Sequence, residues 1–179
     1  MVTGSIARRY ARALLDIGKK NGTTESLGRE VASLSRAIES SPELSETLAN
    51  PAFPKSDRER VLTAVLDRIG ASKTTKSVTA LLLDRERMDI VPDVARELSR
   101  MVDEEAGRAR AEVTSSAPLS PAAKQRLVRA LERLSGKTIE MTVREDASLI
   151  AGVIAKLGDT VYDGSLRNQL ERMRATLTH

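Results

Sequence analysis

Asp146-Ala147-Ser148-Leu149-Ile150-Ala151-Gly152 runs into Gly158-Asp159 and then into Asp163-Gly164-Ser165-Leu166-Arg167. The spacing predicts two short strands, Gly152 to Leu157 and Thr160 to Tyr162, joined at Gly158-Asp159, where glycine tolerates positive φ. Ser165 then caps a last helix carrying Leu166, Leu170, Met173 and Leu177. The stretch holds several conspicuous polar residues and no set of groups able to do chemistry. It points to a chain built to hold partners.

Upstream of that hairpin the two-residue period continues. Ala111, Val113 and Ser115 alternate with Glu112, Thr114 and Ser116, and Ile139, Met141 and Val143 alternate with Glu140, Thr142 and Arg144. Between them Ser120-Pro121 starts a helix whose Leu127, Leu131 and Leu134 share a face, and Gly136 ends it. The expected unit is a small mixed α/β domain over residues 107–179.

Before Gly107 the period is helical. Ile6, Tyr10, Ala13, Leu14 and Ile17 form one stripe, Leu27, Val31, Leu34 and Ile38 a second, and Leu62, Val65, Leu66 and Ile69 a third. Ser41-Pro42 opens a short helix that Asn50-Pro51 halts, Ser56-Asp57-Arg58-Glu59 has capping-box spacing, and Gly70 suits a left-handed helix stop. A fifth helix is expected over Lys73 to Asp84 and a sixth from Asp89 to Glu105, the sixth long enough to connect the two halves. The fold class is therefore α plus α/β, with a six-helix bundle over residues 1–106.

Composition narrows the function. The 179 residues are 40% hydrophobic, enough for a core, and 29 Lys and Arg against 25 Asp and Glu leave a net charge of +4 spread along the chain. That balance argues for solvated helix faces rather than an arm for nucleic acid, and 2% aromatics are too few for base-stacking platforms. The absence of cysteine excludes disulfides, thiolate zinc sites and thiol nucleophiles. No stretch approaches the ~20 apolar residues of a membrane span, so no direct membrane insertion is expected. Met1 to Ser5 carries no apolar signal core.

Candidate chemistry fails residue by residue. Gly136-Lys137-Thr138 resembles the end of a phosphate loop, but the earlier glycine that loop needs is Leu131, and the tripeptide follows a helix instead of starting one. His179, the only histidine, is the last residue, where fraying prevents the positioning of a general base. Glu104-Glu105 and the Asp84, Glu86 pair read as solvated surface charge. No catalytic residue, metal site or cofactor is expected.

Features suited to binding are clearer. In the first helix Ala7, Ala11, Ala13 and Gly18 interrupt larger side chains, and small residues let a helix approach closely, from within the bundle or from outside. In the fifth, Val78 and the consecutive Leu81, Leu82 and Leu83 cannot all face one core stripe, which leaves one for a partner. Asp163-Gly164-Ser165 reads equally well as a turn and N-cap with Asp163 near the positive helix end. Arg167, Arg172 and Arg174 fall outside the leucine stripe of the last helix, open to an acidic partner or to water.

Together these residues resemble the delta subunit family of bacterial rotary ATP synthases, whose mitochondrial counterpart is the oligomycin-sensitivity-conferring protein. Ile6-Ala7-Arg8-Arg9-Tyr10-Ala11-Arg12-Ala13-Leu14-Leu15 is similar to the family's first helix, and Leu48-Ala49-Asn50-Pro51 to its mid-bundle break. Ser116-Ala117-Pro118-Leu119-Ser120, Asp146 to Gly152, Gly158-Asp159 and Asp163-Gly164-Ser165 match it in order and spacing. Ala151 stands where a second glycine is common and Leu15 where an aromatic is frequent.

The resemblance implies a non-catalytic stator subunit that resists rotor torque on the cytoplasmic face of the bacterial inner membrane. Helices one and five would form a groove for the N-terminal helix of an alpha subunit, mapping here to Tyr10, Ala13, Leu14 and Ile17 with Val78, Leu81 and Asp84. The C-terminal domain would meet the end of the b-subunit stalk, with Arg167, Arg172 and Arg174 as its candidates. The competing readings are a helical protein-protein adaptor unrelated to ATP synthase, an enzyme with a site between domains, and a nucleic-acid adaptor whose affinity would fall steeply with salt.

Overall fold

The computed structural model describes residues 2–146, 149, 152–158 and 160–163. The chain divides into two compact units, Met1–Val102 and Asp103–His179, a few residues before the expected boundary at Gly107. The last helix expected from Ser165 lies outside the described residues.

The first unit is helical: α1 (Val2–Asn21), α2 (Thr24–Ser40), α3 (Pro42–Ala49), α4 (Lys55–Arg68), α5 (Lys73–Asp84), a 3-10 turn at Met88–Ile90, and α6 (Val91–Glu105), which runs on into the second unit. The local reasons are mostly those the sequence offers. Ser41 Oγ accepts from the Leu44 amide at 3.3 Å with Pro42 in the first turn, and Asn50 closes α3 while its side chain accepts from the Ala52 amide at 2.9 Å. Gly70, at φ +69°, ends α4 in the left-handed region where a Cβ would be strained.

Two boundaries differ. Ser56 does not cap α4: the helix already begins at Lys55, and the Asp57 and Arg58 amides donate to the Pro54 carbonyl at 3.0 and 3.2 Å. Pro54, held at φ −54°, launches the helix before the serine is reached, so Ser56 sits inside the first turn. Likewise α6 starts at Val91, because Pro92 fits only a first turn and leaves Asp89 in the 3-10 segment.

One core fills this unit. Leu14, Leu34, Leu48, Leu82, Leu83 and Leu98 are fully buried, drawn from α1, α2, α3, α5 and α6. The second stripe is buried throughout at Leu27, Val31, Leu34 and Ile38. Along the first, Leu14 is buried, Tyr10 and Ile17 are half-buried, and Ala13 is exposed.

In the second unit the sheet order is β2-β1-β3-β4, with β1 (Arg108–Ser115), β2 (Thr138–Glu145), β3 (Val153–Leu157) and β4 (Thr160–Asp163). β1 and β2 run parallel with Ala111 opposite Met141, and α7 (Pro121–Ser135) makes the crossover between them that parallel strands require. β3 pairs antiparallel with β1, and β4 with β3, which makes the sheet mixed. Ala111, Val113, Leu131, Ile139 and Ala155 form the second core, while Glu112 points to solvent, as period-two burial demands. Ser120 caps α7 by accepting from the Ala123 amide at 3.2 Å, and Gly136 ends it at φ +67°.

Candidate functional site

The candidate groove residues lie on α1 and α5, and the structure sorts them by exposure. On α1, Tyr10, Ala13 and Ile17 follow the i, i+3, i+7 line of one face, with exposed Ala13 between two half-buried neighbours. On α5 the three leucines separate as a helix must separate consecutive residues: Leu82 and Leu83 are each 1% exposed and Leu81 is 43% exposed. Asp84 shares the Leu81 side at i+3 and is exposed, whereas Val78 is half-buried. Leu14 is 1% exposed, so it supports the face from beneath.

Two contacts bring these residues together. Leu14 and Val78 line the same small apolar pocket, closed by Val31, Leu82, Val91 and Val94. The Tyr10 hydroxyl accepts from Arg87 Nη1 at 3.3 Å, just past the end of α5. Asp84 is already engaged within the chain: Lys55 Nζ donates to it at 2.6 Å and reaches Glu59 at 3.5 Å. Its hydrogen bond to Asp84 and that carboxylate's negative charge hold the Lys55 ammonium above its usual range.

The small residues of α1 divide between inside and outside. Ala7 and Ala11 are fully buried and Gly18 is buried against the start of α2, where an added Cβ would stand 2.8 Å from Thr24 Cα. Their close approach is internal packing. Ala13 is the small residue of the set that stays exposed.

Sequence reasoning missed the polar anchors of α5. Ser72 caps it by accepting from the Thr75 amide, a Ser-x-x-Thr spacing that was readable, while Glu30 of α2 takes hydrogen bonds from both residues across 42 and 45 positions. Burial tends to raise the Glu30 carboxyl, but the bonds from Thr75 and Ser72 and the charge of Arg29 outweigh it and hold it below the ordinary carboxylate value. Nothing local marks that partner.

In the second unit Arg167, Arg172 and Arg174 lie outside the described residues, as does Asp159 of the hairpin turn. What is described there includes exposed apolar side chains: Leu134 on α7, and Val161 and Tyr162 on β4. Gly136-Lys137-Thr138 is a helix stop leading into β2. Among the described residues no cluster of three or more His, Asp or Glu could hold a metal, and no helix is long and apolar enough to cross a membrane.

Comparison with known proteins is consistent along the whole chain. Residues 6–177 match the family model described as ATP synthase delta (OSCP) subunit. The ATP synthase subunit delta of Myxococcus xanthus is 41% identical over 179 residues, covering 99% of this chain and 98% of the relative. That of Desulforapulum autotrophicum is 39% identical over 177 residues, covering 99% and 97%. A chain in the cryo-EM structure of the Toxoplasma gondii mitochondrial ATP synthase hexamer shares the fold, with a TM-score of 0.72 at 20% identity and 97% of each chain covered. On sequence, extent and architecture alike, this chain belongs to the ATP synthase delta (OSCP) subunit family.

Proposed function

We propose that the chain is a non-catalytic stator subunit of a rotary ATP synthase, linking the catalytic head to the peripheral stalk on the cytoplasmic face of the membrane. Residues 1–106 act as one six-helix docking bundle on the head, and residues 107–179 dock on the end of the b-subunit stalk. The α1 and α5 face takes the N-terminal amphipathic helix of an alpha subunit, with Tyr10, Ala13, Ile17, Val78 and Leu81 in contact, Leu14 beneath them, and Asp84 at the rim.

The observation that carries this reading is Leu81, 43% exposed on a helix whose next two leucines are buried. An exposed leucine on α5 and an exposed small residue, Ala13, on α1 suit a helix laid into a shallow groove. Apolar burial of about 25 cal/mol per Å2 over a helix-sized contact supplies several kcal/mol before ordering costs are subtracted, which is the character of a static hold rather than a passing encounter.

The test is isothermal titration of the chain with a synthetic peptide of the alpha subunit's N-terminal helix, repeated with Tyr10→Asp and Leu81→Asp. Saturable one-to-one binding weakened by both substitutions is expected. No binding by a folded chain rejects the groove.

A further inference from the structure

Leu81, Leu82 and Leu83 are chemically identical, and on a helix they fan out over roughly 200°. Hydrophobic burial therefore distinguishes poorly between two rotations of α5, one that buries Leu82 and Leu83 and one that buries Leu81 and Leu82. In the fold it is Leu81 that faces out, so something other than the leucines must choose.

We infer that Glu30 is the positioning residue that fixes the rotation of α5, and so decides which leucine is presented to a partner. One carboxylate oxygen, Oε2, accepts from the Ser72 amide at 2.9 Å, from Ser72 Oγ at 2.8 Å and from Thr75 Oγ1 at 2.5 Å. The three donors surround the first turn of α5, where a negative charge also suits the helix dipole. Because Thr75 is wholly buried, turning α5 by one residue would carry its hydroxyl away from Glu30 and leave it without that partner. Glu30 is itself anchored, since Leu27, Val31 and Leu34 seat α2 in the core on either side of it.

Directional bonds thus do what a run of like side chains cannot. The Thr75 carbonyl in turn accepts from Thr79 Oγ1 at 2.8 Å, extending the polar seam one turn further along the pocket that Leu14 and Val78 line.

The chain has no cysteine, so single thiols report the rotation directly. Leu81→Cys and Leu82→Cys are placed in the full chain, each with and without Glu30→Gln, and labelled with a thiol reagent under native conditions while circular dichroism monitors folding. The expected result is fast labelling at position 81 and protection at 82, with Glu30→Gln slowing the first and speeding the second so that their ratio falls about tenfold, the scale of one lost charge-assisted hydrogen bond. Slower labelling at 81 cannot come from loosened structure, which only exposes thiols. An unchanged ratio in a folded Glu30→Gln chain overturns the inference. Should that substitution prevent folding, Thr75→Val removes one donor at nearly the same shape and is read in the same way. The consequence for binding, a weaker grip on the alpha-type helix peptide, rests on the docking reading above; labelling does not, so a failure of either is seen separately.

Discussion

The Tyr10 hydroxyl accepts a hydrogen bond from the Arg87 guanidinium at 3.3 Å, tying the middle of α1 to the segment directly after α5. The bond crosses 77 positions and is partly shielded from water. It sits at one end of the candidate docking face, so removing it changes stability before it changes any contact with a partner. Tyr10→Phe, which keeps the ring, should cost about 0.5–1.5 kcal/mol in urea denaturation.

The leucines of α5 separate stability from binding. Leu82→Ala empties a site that is 1% exposed and should destabilise the first unit by about 2–5 kcal/mol. Leu81→Asp, at a position 43% exposed, should leave the unfolding free energy within about 0.5 kcal/mol of the unsubstituted chain while weakening binding of the helix peptide in titration.

Gly18→Ala should destabilise although alanine is the better helix former. An alanine Cβ would meet Thr24 Cα at 2.8 Å, and that neighbour is backbone, unable to swing aside. The propensity gain of about 1 kcal/mol is set against an overpacking cost of about 1–3 kcal/mol, and a lowered thermal midpoint decides between them.

Acid should weaken the first unit through Glu30 and Glu97. Both carboxyls are held below their ordinary value of 4.5 in the fold, Glu30 against the opposing effect of burial by bonds from Thr75 and Ser72, Glu97 chiefly by its bond from Arg100. A group whose pKa falls on folding binds fewer protons folded than unfolded, so its contribution is present above the unfolded value and disappears as pH drops through the folded one. Denaturation midpoints should therefore hold steady near neutrality and decline below about 4.5, and Glu30→Gln should flatten part of that decline.

The order and kind of the described elements are legible in the residues alone. Periodicity separates the helical unit from the strand-bearing one because a 3.6-residue repeat and a two-residue repeat cannot be confused over several turns. Ser41, Ser120, Asn50, Gly70 and Gly136 act within a few residues of their own position, and a local signal is legible locally. At Pro54 the fixed φ of proline prevailed over the capping-box serine at Ser56, and Pro92 moved the start of α6 from the expected Asp89 to Val91.

Tertiary structure alone decided which members of a pattern face outward. Ala7, Ala11 and Ala13 are one residue type on one helix, yet two are buried and one is exposed, because only the neighbouring helices say where a groove is already filled. The leucines at 81, 82 and 83 are equivalent until α5 is set against α2, and the residue that takes part in setting it, Glu30, lies 42 positions from Ser72. Asp84, read from sequence as solvated charge, finds Lys55 only because α4 and α5 lie side by side. Helical and strand periods are written in neighbouring residues; the choice of exposed face depends on contacts between residues far apart in the chain, and those exist only once it has folded.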